Sequence, residues 1–566
     1  MSNDLETLKQ HRDALLLAEV AAWLHMLGKY HEDFLAGNHS LDIQIPPSLA
    51  ESHPQLHSLL TDPWPGSIWS RLPIPELGAG TLSFFDLIKD HRNPHAASGL
   101  ARLMWDAHGR GSGIEKGVLE RFAPEQQTTV YPATALGREL AAVDLDDLKT
   151  RRRQLYDALE CWLQDLKDAN AAVGWATFRR NLISRLEQEF RVTVAETRRP
   201  MNDVTMFDQT AASVAMFKAA LAQNLFVGWK EPTQTAVADK YKWRILRVGI
   251  DGPGFWGRAA RLSDLLARKA LLAPALDAAR TLLEETYPLG MEVYRDENGS
   301  LFIVPDMADL LEMTVDGSRL HDHLSKITAT ALDEEASCRL ELSQPTRNML
   351  VLGRLATAVL PEPTPSPQWL QTVWRKDPND ICPVCGLRPQ GPGKKAIARK
   401  VCDVCEQRRA NRSGQWVENL SSTIWTDEVA DINGRLALVV GSFGLDPWLG
   451  GSAFSSVLMF DPATRQLTDE DRKDKQYDFD YNQLLQDLQQ AIRRKQFTGN
   501  TLLDNLVLSK ARGGGFPQFY DLQVVDSDLN ELGPHPRAEL LALAMLRQNP
   551  SFARLRRVWE TTRAFW

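Results

Sequence analysis

Four of the six cysteines fall into two CxxC pairs, Cys382-Pro-Val-Cys385 and Cys402-Asp-Val-Cys405, with sixteen residues between them. A CxxC turn offers two soft thiolates to one ion, and two such turns brought together close a tetrahedral four-sulfur site. The spacing therefore predicts one structural zinc held by Cys382, Cys385, Cys402 and Cys405. A closed site of this kind has no open coordination position, so the metal folds its loop and performs no chemistry. Two unrelated reduced pairs, or a redox dithiol, do not account for both spacings together. Cys161 and Cys338 stand alone and read as ordinary packing residues, and six cysteines in 566 residues are too few for a disulfide scaffold.

With 43% hydrophobic residues the chain can bury several cores, and its length makes about three to five domains the reasonable expectation. No stretch approaches the ~20 uninterrupted apolar residues of a membrane helix, and the N-terminal MSNDLETLKQHRDALLL lacks the basic region and cleavage site of a signal peptide, which predicts a cytoplasmic protein with no membrane partner. The net charge of −8 argues against indiscriminate coating of nucleic acid by counterion release. RNA contact must then be local. Basic clusters occur at Arg151-Arg152-Arg153, at Lys394, Lys395, Arg399 and Lys400, and at Arg408-Arg409 with Arg412. A charge run is usually a solvated face. The cluster from Lys394 to Lys400 differs in lying between the two cysteine turns, where it would be held out as a basic finger able to meet phosphate.

Residues from about 5 to 190 carry apolar side chains at i, i+3, i+4 spacing, as in Thr7 to Phe34, Leu100 to Ala107 and Leu148 to Phe190, and read as helical. The Pro- and His-rich stretch Ile45 to Pro75 reads as loop. From Trp243 the texture changes to strand (WRILRVGI), helix (Ser263 to Tyr287), strand (MEVYRD) and strand (SLFIVP), the last two joined around Asn298-Gly299, a dipeptide suited to a tight hairpin. That order opens a ferredoxin-like fold, the architecture of polymerase palms and many RNA-binding modules. After the cysteines a second strand series runs through Ser422 to Val429, Arg435 to Phe443 and Ala453 to Phe460, followed by helices at Tyr481 to Lys495 and Arg537 to Trp566. The fold class is α+β and multidomain: a helical HD-like unit at 1–200, a first palm-like unit at 201–330, a linker with a zinc ribbon at 331–425, and a second palm-like unit at 426–566 that stops short of completion, as in a fragment or one gene of a split pair.

Two sets of residues are candidates for chemistry. The helix AAWLHMLGKYHEDF carries His25, and in HD phosphohydrolases a His-Asp pair at this kind of position binds divalent metal. Here Met26 follows the histidine, and a thioether cannot bridge two hard cations. His91, His95 and His108 are the other histidines able to join His25 in a site with a divalent metal. In the palm-like units, Asp251 follows the first strand, Asp296 with Glu297 enters the hairpin, and Asp446 lies in GSFGLDPWLGG. Palms hold two metal ions on carboxylates at such strand ends, whereas Asp-Glu-Asn-Gly is also ordinary hairpin sequence.

Taken together, LHMLGKYHEDF, AHGRGSGIEKG, NDVTMFDQTAASVAMFKAAL, WRILRVGIDG, GMEVYRDENGSLFIVPD, the two cysteine turns, LALVVGSFGLDPWLGG and RLRRVWETTRAFW resemble the large subunit of type III CRISPR effector complexes, in the Csx-eleven-type branch of the Cas-ten family. The resemblance implies a scaffold subunit that binds guide RNA and target RNA with other effector backbone subunits in antiviral defence. In that family the HD domain can cleave DNA, and a Gly-Gly-Asp-Asp hairpin in the second palm can make cyclic oligoadenylates. Met26 stands at the HD aspartate position and the chain contains no Gly-Gly-Asp-Asp, so impaired nuclease and cyclase activity is the expectation. The alternatives are a metal-dependent HD-type nuclease or phosphohydrolase using His25, His91 and His108, and a stand-alone nucleotide-binding palm protein with a zinc ribbon.

Overall fold

The computed structural model describes residues 5–35, 46, 48–64, 82–88, 99–114, 143–168, 174–194, 204–228, 242–259, 262–345, 355, 358–376, 379–410, 460–461, 466–467, 481–493, and 553, 556, 557 and 560. His91, His95, Asp446 and most of the strand series expected between 422 and 460 lie outside them.

The N-terminal part is helical: α1 (Arg12–Leu24), α2 (Pro54–Thr61), α3 (Gly99–Ile114), α4 (Leu145–Asp168), α5 (Trp175–Phe190) and α6 (Met206–Val227). In α4 the buried side chains Leu148, Leu155, Tyr156, Leu159, Leu163 and Leu166 recur at helical spacing and give the helix one apolar stripe. The expectation of loop between Ile45 and Pro75 is corrected in part. Helix α2, preceded by a short helix Leu49–Ser52, occupies some of that stretch, because Pro54 sits at the start of the helix, where its missing N–H costs nothing, and Leu56, Leu59 and Leu60 form a buried face.

Helix α6 is the core of the unit. The Thr205 hydroxyl accepts the Asp208 amide at 3.1 Å and starts the helix, and Gly228, at φ +82, follows its end. By length and composition α6 could cross a membrane, but it is buried almost continuously from Met206 to Leu225, against α1, α3 and a β-sheet.

That sheet is four-stranded and antiparallel, built from β1 (Trp243–Gly249), β2 (Met291–Asp296), β3 (Gly299–Pro305) and β4 (Arg339–Leu342), in the order β2-β3-β1-β4. Helix α7 (Leu262–Thr281) connects β1 to β2, α8 (Leu320–Ala331) lies between β3 and β4, and the two helices pack on each other. Strand, helix, two strands, helix and strand in this order make the connectivity of a split β-α-β unit. The fourth strand lies past residue 330, in the stretch expected to be linker. Every residue of β3 is buried, as in a strand covered on both faces. The β2–β3 turn needs Gly299: its φ is +124, and a Cβ there would lie 2.1 Å from the Val248 carbonyl oxygen.

Beyond the sheet come α9 (Pro367–Lys376), α10 (Lys394–Arg399) and α11 (Asp403–Ala410), the last two belonging to the cysteine region.

Candidate metal centre

The first cysteine turn is a tight hairpin. The Cys382 amide donates to the Arg388 carbonyl at 2.8 Å, the Gly386 amide donates to the Cys382 carbonyl at 2.9 Å, and Gly386 adopts φ +67. The second turn is drawn onto it by a parallel bridge between Gly391 and Cys402, and runs into α11, on which Cys405 lies. Asp403 fixes the entry to α10 by accepting the Gly393 amide at 3.0 Å.

These contacts bring the sulfurs of Cys382, Cys385, Cys402 and Cys405 within 4.8 Å of one another. Zinc–sulfur bonds of about 2.3 Å in a tetrahedron put neighbouring sulfurs about 3.8 Å apart, whereas a disulfide needs about 2.05 Å. The Cys385 and Cys402 sulfurs are 3.9 Å apart. The donor set and its spacing therefore fit a structural zinc. Hydrogen bonds from the thiols of Cys385, Cys402 and Cys405 hold Cys382 well below the ordinary thiol range. The Cys405 amide also points at the Cys402 sulfur, 3.5 Å away.

The stretch between the turns is a short helix, α10, rather than a loop, and Lys394, Lys395, Arg399 and Lys400 are all exposed on it or at its end. Arg399 is the one tied back, through a 2.6 Å ion pair to Glu406.

Sequence reasoning missed the seat on which the metal loop rests. Glu335, fully buried between α8 and β4, accepts Arg268 of α7 at 3.1 Å, Arg388 of the first turn at 2.7 Å and Arg408 of α11 at 2.8 Å. Arg408 also meets Asp333 at 2.6 Å, and Arg388 donates to the Asp333 carbonyl. Arg388 and Arg408 each stand three residues past a cysteine, the only local signal that could have drawn attention to them.

Of the histidine candidates, His25 and His108 come together. His25 Nε2 lies 3.0 Å from His108 Nδ1, and the His25 Nδ1 side is directed at the Ala22 carbonyl. Met26, next to His25 in the chain, is buried in the apolar core. A second cluster, His31, Glu32 and Asp33, brings potential ligand atoms within 4.8 Å, with Glu32 already engaged by Arg152.

The two described candidate acids lie at the same end of the sheet, since the Gly252 amide donates to the Glu297 carbonyl at 3.1 Å. Asp251 accepts the Gly254 amide at 2.8 Å and caps the short helix Gly252–Gly257. Asp296 accepts the Asn298 amide at 2.7 Å and the Tyr294 hydroxyl at 3.0 Å, and burial pushes its carboxyl up to about 6.

No family model matches the chain, and no curated protein matches it significantly. Solved structures do. Csm1 of T.onnurineus is similar at 16% identity and a TM-score of 0.36, over 59% of this chain and 45% of that one. The Csm1-Csm4 subcomplex of the type III-A CRISPR-Csm interference complex is similar at 14% identity and a TM-score of 0.31, over 61% of this chain and 45% of that one. The Csm1-Csm4 cassette in complex with one ATP is similar at 14% identity and a TM-score of 0.30, over 61% of this chain and 45% of that one. The chain thus spans less than half the length of the solved chains to which it is similar.

Proposed function

We propose that this chain is a large-subunit scaffold of an RNA-guided type III CRISPR effector complex, which binds guide RNA and target RNA together with other backbone subunits and is impaired as a nuclease and a cyclase. One observation carries the reading. A helical unit with a His25–His108 pair, a split β-α-β unit and a four-cysteine loop bearing an exposed basic helix follow one another in a single chain, in the order that the motifs of the resemblance require. In this reading the unit around β1 to β4 is the first palm, the metal loop is a zinc ribbon, and Lys394, Lys395, Arg399 and Lys400 meet phosphate. In the same reading residues 426–566, with Asp446, belong to a second palm-like unit. The acidic net charge fits a subunit whose affinity for RNA is shared with partners.

Pull-down from the native host with sequencing of bound RNA tests this. Recovery of repeat-derived small RNA and backbone subunits is the expected result. Recovery of the protein alone would refute the scaffold reading and favour a stand-alone nucleotide-binding palm protein.

The contact between His25 and His108 favours a second reading, a metal-dependent HD-type phosphohydrolase, with His91 as a further ligand. A histidine whose second ring nitrogen faces a backbone carbonyl is oriented as metal-ligating histidines are. Met26 weighs against it, since it removes the hard oxygen donor from the pair. Manganese-dependent DNA cleavage abolished by His25→Ala would establish this reading instead.

A further inference from the structure

A fourth guanidinium reaches the seat of the cysteine loop. Arg258, half-buried at the end of the short helix Gly252–Gly257, donates from Nη2 to the Glu335 carbonyl at 3.4 Å, a long bond, and lies over the Phe255 ring at 5.5 Å. No carboxylate is left for it. Both carboxylate oxygens of Glu335 are engaged, Oε2 by Arg268 at 3.1 Å and Oε1 by Arg388 and Arg408 at 2.7 and 2.8 Å. Asp333 Oδ2 holds Arg408 at 2.6 Å. Of the other acids whose charge reaches Arg258, Asp251 is occupied as the cap of its helix and Glu362 is exposed. Among the described residues Arg258 forms no ion pair.

Two donors are left over. Arg258 Nε and Arg268 Nη1 are buried with no hydrogen-bond partner, and Arg268 as a whole is 3% exposed. Burial, and after it the Arg268 charge, push the Arg258 pKa below its ordinary value, against the pull of Glu335, Glu362 and Asp251. A buried N–H of a charged group is costly to leave unmade, so a partner that satisfies both must accept more than one hydrogen bond and carry negative charge. Neighbouring guanidiniums present planar forks of N–H donors, and these match the oxygens of a phosphate. We propose that Arg258 and Arg268, which converge on Glu335, form an oxyanion site that takes one phosphate group. The phosphate supplies the acceptor and the counter-charge that Glu335 has already given to other arginines. The same chemistry serves a free phosphate ion and a phosphodiester of bound RNA.

Calorimetric titration of the whole chain with inorganic phosphate, against chloride at equal ionic strength, reads the site. One saturable site is the expected result, and Arg258→Met should weaken it by about tenfold or more. Arg258 makes a single long hydrogen bond, so the variant should keep the circular dichroism of the native chain. On the native chain, phosphate should also slow amide exchange in peptides covering 252–258 and 333–335 and leave α1 unchanged. Displacement of the phosphate by short single-stranded RNA would assign the group to an RNA phosphodiester, and undiminished phosphate binding in the presence of RNA would assign it to the free ion. Absence of saturable phosphate binding to the native chain, or equal affinity in Arg258→Met, would overturn the site. Should Arg258→Met fail to fold, exchange in 252–258 and 333–335 that phosphate does not slow would overturn it on the native chain alone.

Discussion

Replacing Lys218 by Met should loosen the joint between the helical unit and the sheet unit. Lys218 is fully buried in α6, and its ammonium donates to Glu19 at 2.6 Å and to the Glu284 carbonyl at 2.7 Å. Glu19, also fully buried, accepts Arg179 at 2.7 Å, and Arg179 reaches Glu284 at 2.6 Å. Burial depresses the Lys218 pKa against the pull of Glu19. Burial works against the Arg179 charge too, and is outweighed by Glu19 and Glu284, which leave its pKa raised. Methionine keeps the length of the lysine stem and removes the charge, leaving Glu19 with Arg179 and the indole N–H of Trp23, 3.4 Å away. Removing one partner of a buried pair costs about 3–5 kcal/mol. In native-state hydrogen exchange that is roughly a hundredfold to several thousandfold acceleration of the slowest amides of α1 and α6. Adding Glu19→Gln to Lys218→Met should cost less than the two single changes together, by about 1–3 kcal/mol, because the second removes the charge that the first strands. An acceleration below about tenfold for Lys218→Met, or strict additivity of the pair, would refute the reasoning.

Burial raises the Asp296 carboxyl to about 6, above the ~3.9 of an unfolded aspartate, so protonated Asp296 favours folding below about pH 4 and that contribution is lost as pH rises through 6. Asp296→Asn should therefore stabilise the β2–β3 hairpin at pH 8, by at most about 3 kcal/mol, and have little effect at pH 4, as read by exchange of hairpin amides at the two pH values. Metal analysis of freshly purified chain should find close to one zinc per molecule, and Cys402→Ser should abolish it while leaving the circular dichroism of the helical unit intact. The native chain should not cut single-stranded DNA with manganese; Met26→Asp, which buries a carboxylate in an apolar core, should lower stability without divalent metal and recover part of it when manganese is added, measured as a melting shift. Charge reversal at Lys394, Lys395 and Lys400 should reduce the small RNA recovered with the chain and leave its zinc content unchanged.

How much the sequence discloses depends on the range of each interaction. The four thiols obey a spacing imposed within two short turns, so the ligand set could be written down before any fold was known. The run from β1 to β3 was legible because short apolar runs and the Asn298-Gly299 turn act locally. The strand β4, Arg339–Leu342, was not: it is four residues long, mostly half exposed and carries two charged side chains, and only its pairing with β1 makes it a strand. Helix α2 was hidden because proline and histidine were read as loop signals where Pro54 begins a helix. Glu335 left no trace at all, since its arginine partners lie 67, 53 and 73 residues away and no periodicity links them. The neighbourhood of His25 and His108 could be guessed from residue type, but not the 3.0 Å contact, which spans 83 residues.

The helix that begins at Leu262 does not finish as an α-helix. From Leu282 to Thr286 it widens into a π turn, in which the Tyr287 amide reaches back five residues to the Leu282 carbonyl at 2.8 Å. A π turn holds one residue more than the regular helix around it. It sets two successive carboxylates, Glu284 and Glu285, on the buried side of the joint, where Arg179 and Arg180 meet them. A relative lacking one residue between 282 and 286 would wind this turn regularly and rotate the chain beyond it by about 100°. Glu284 and Glu285 would then no longer fall together on Arg179 and Arg180, and the joint would lose part of its charge pairing.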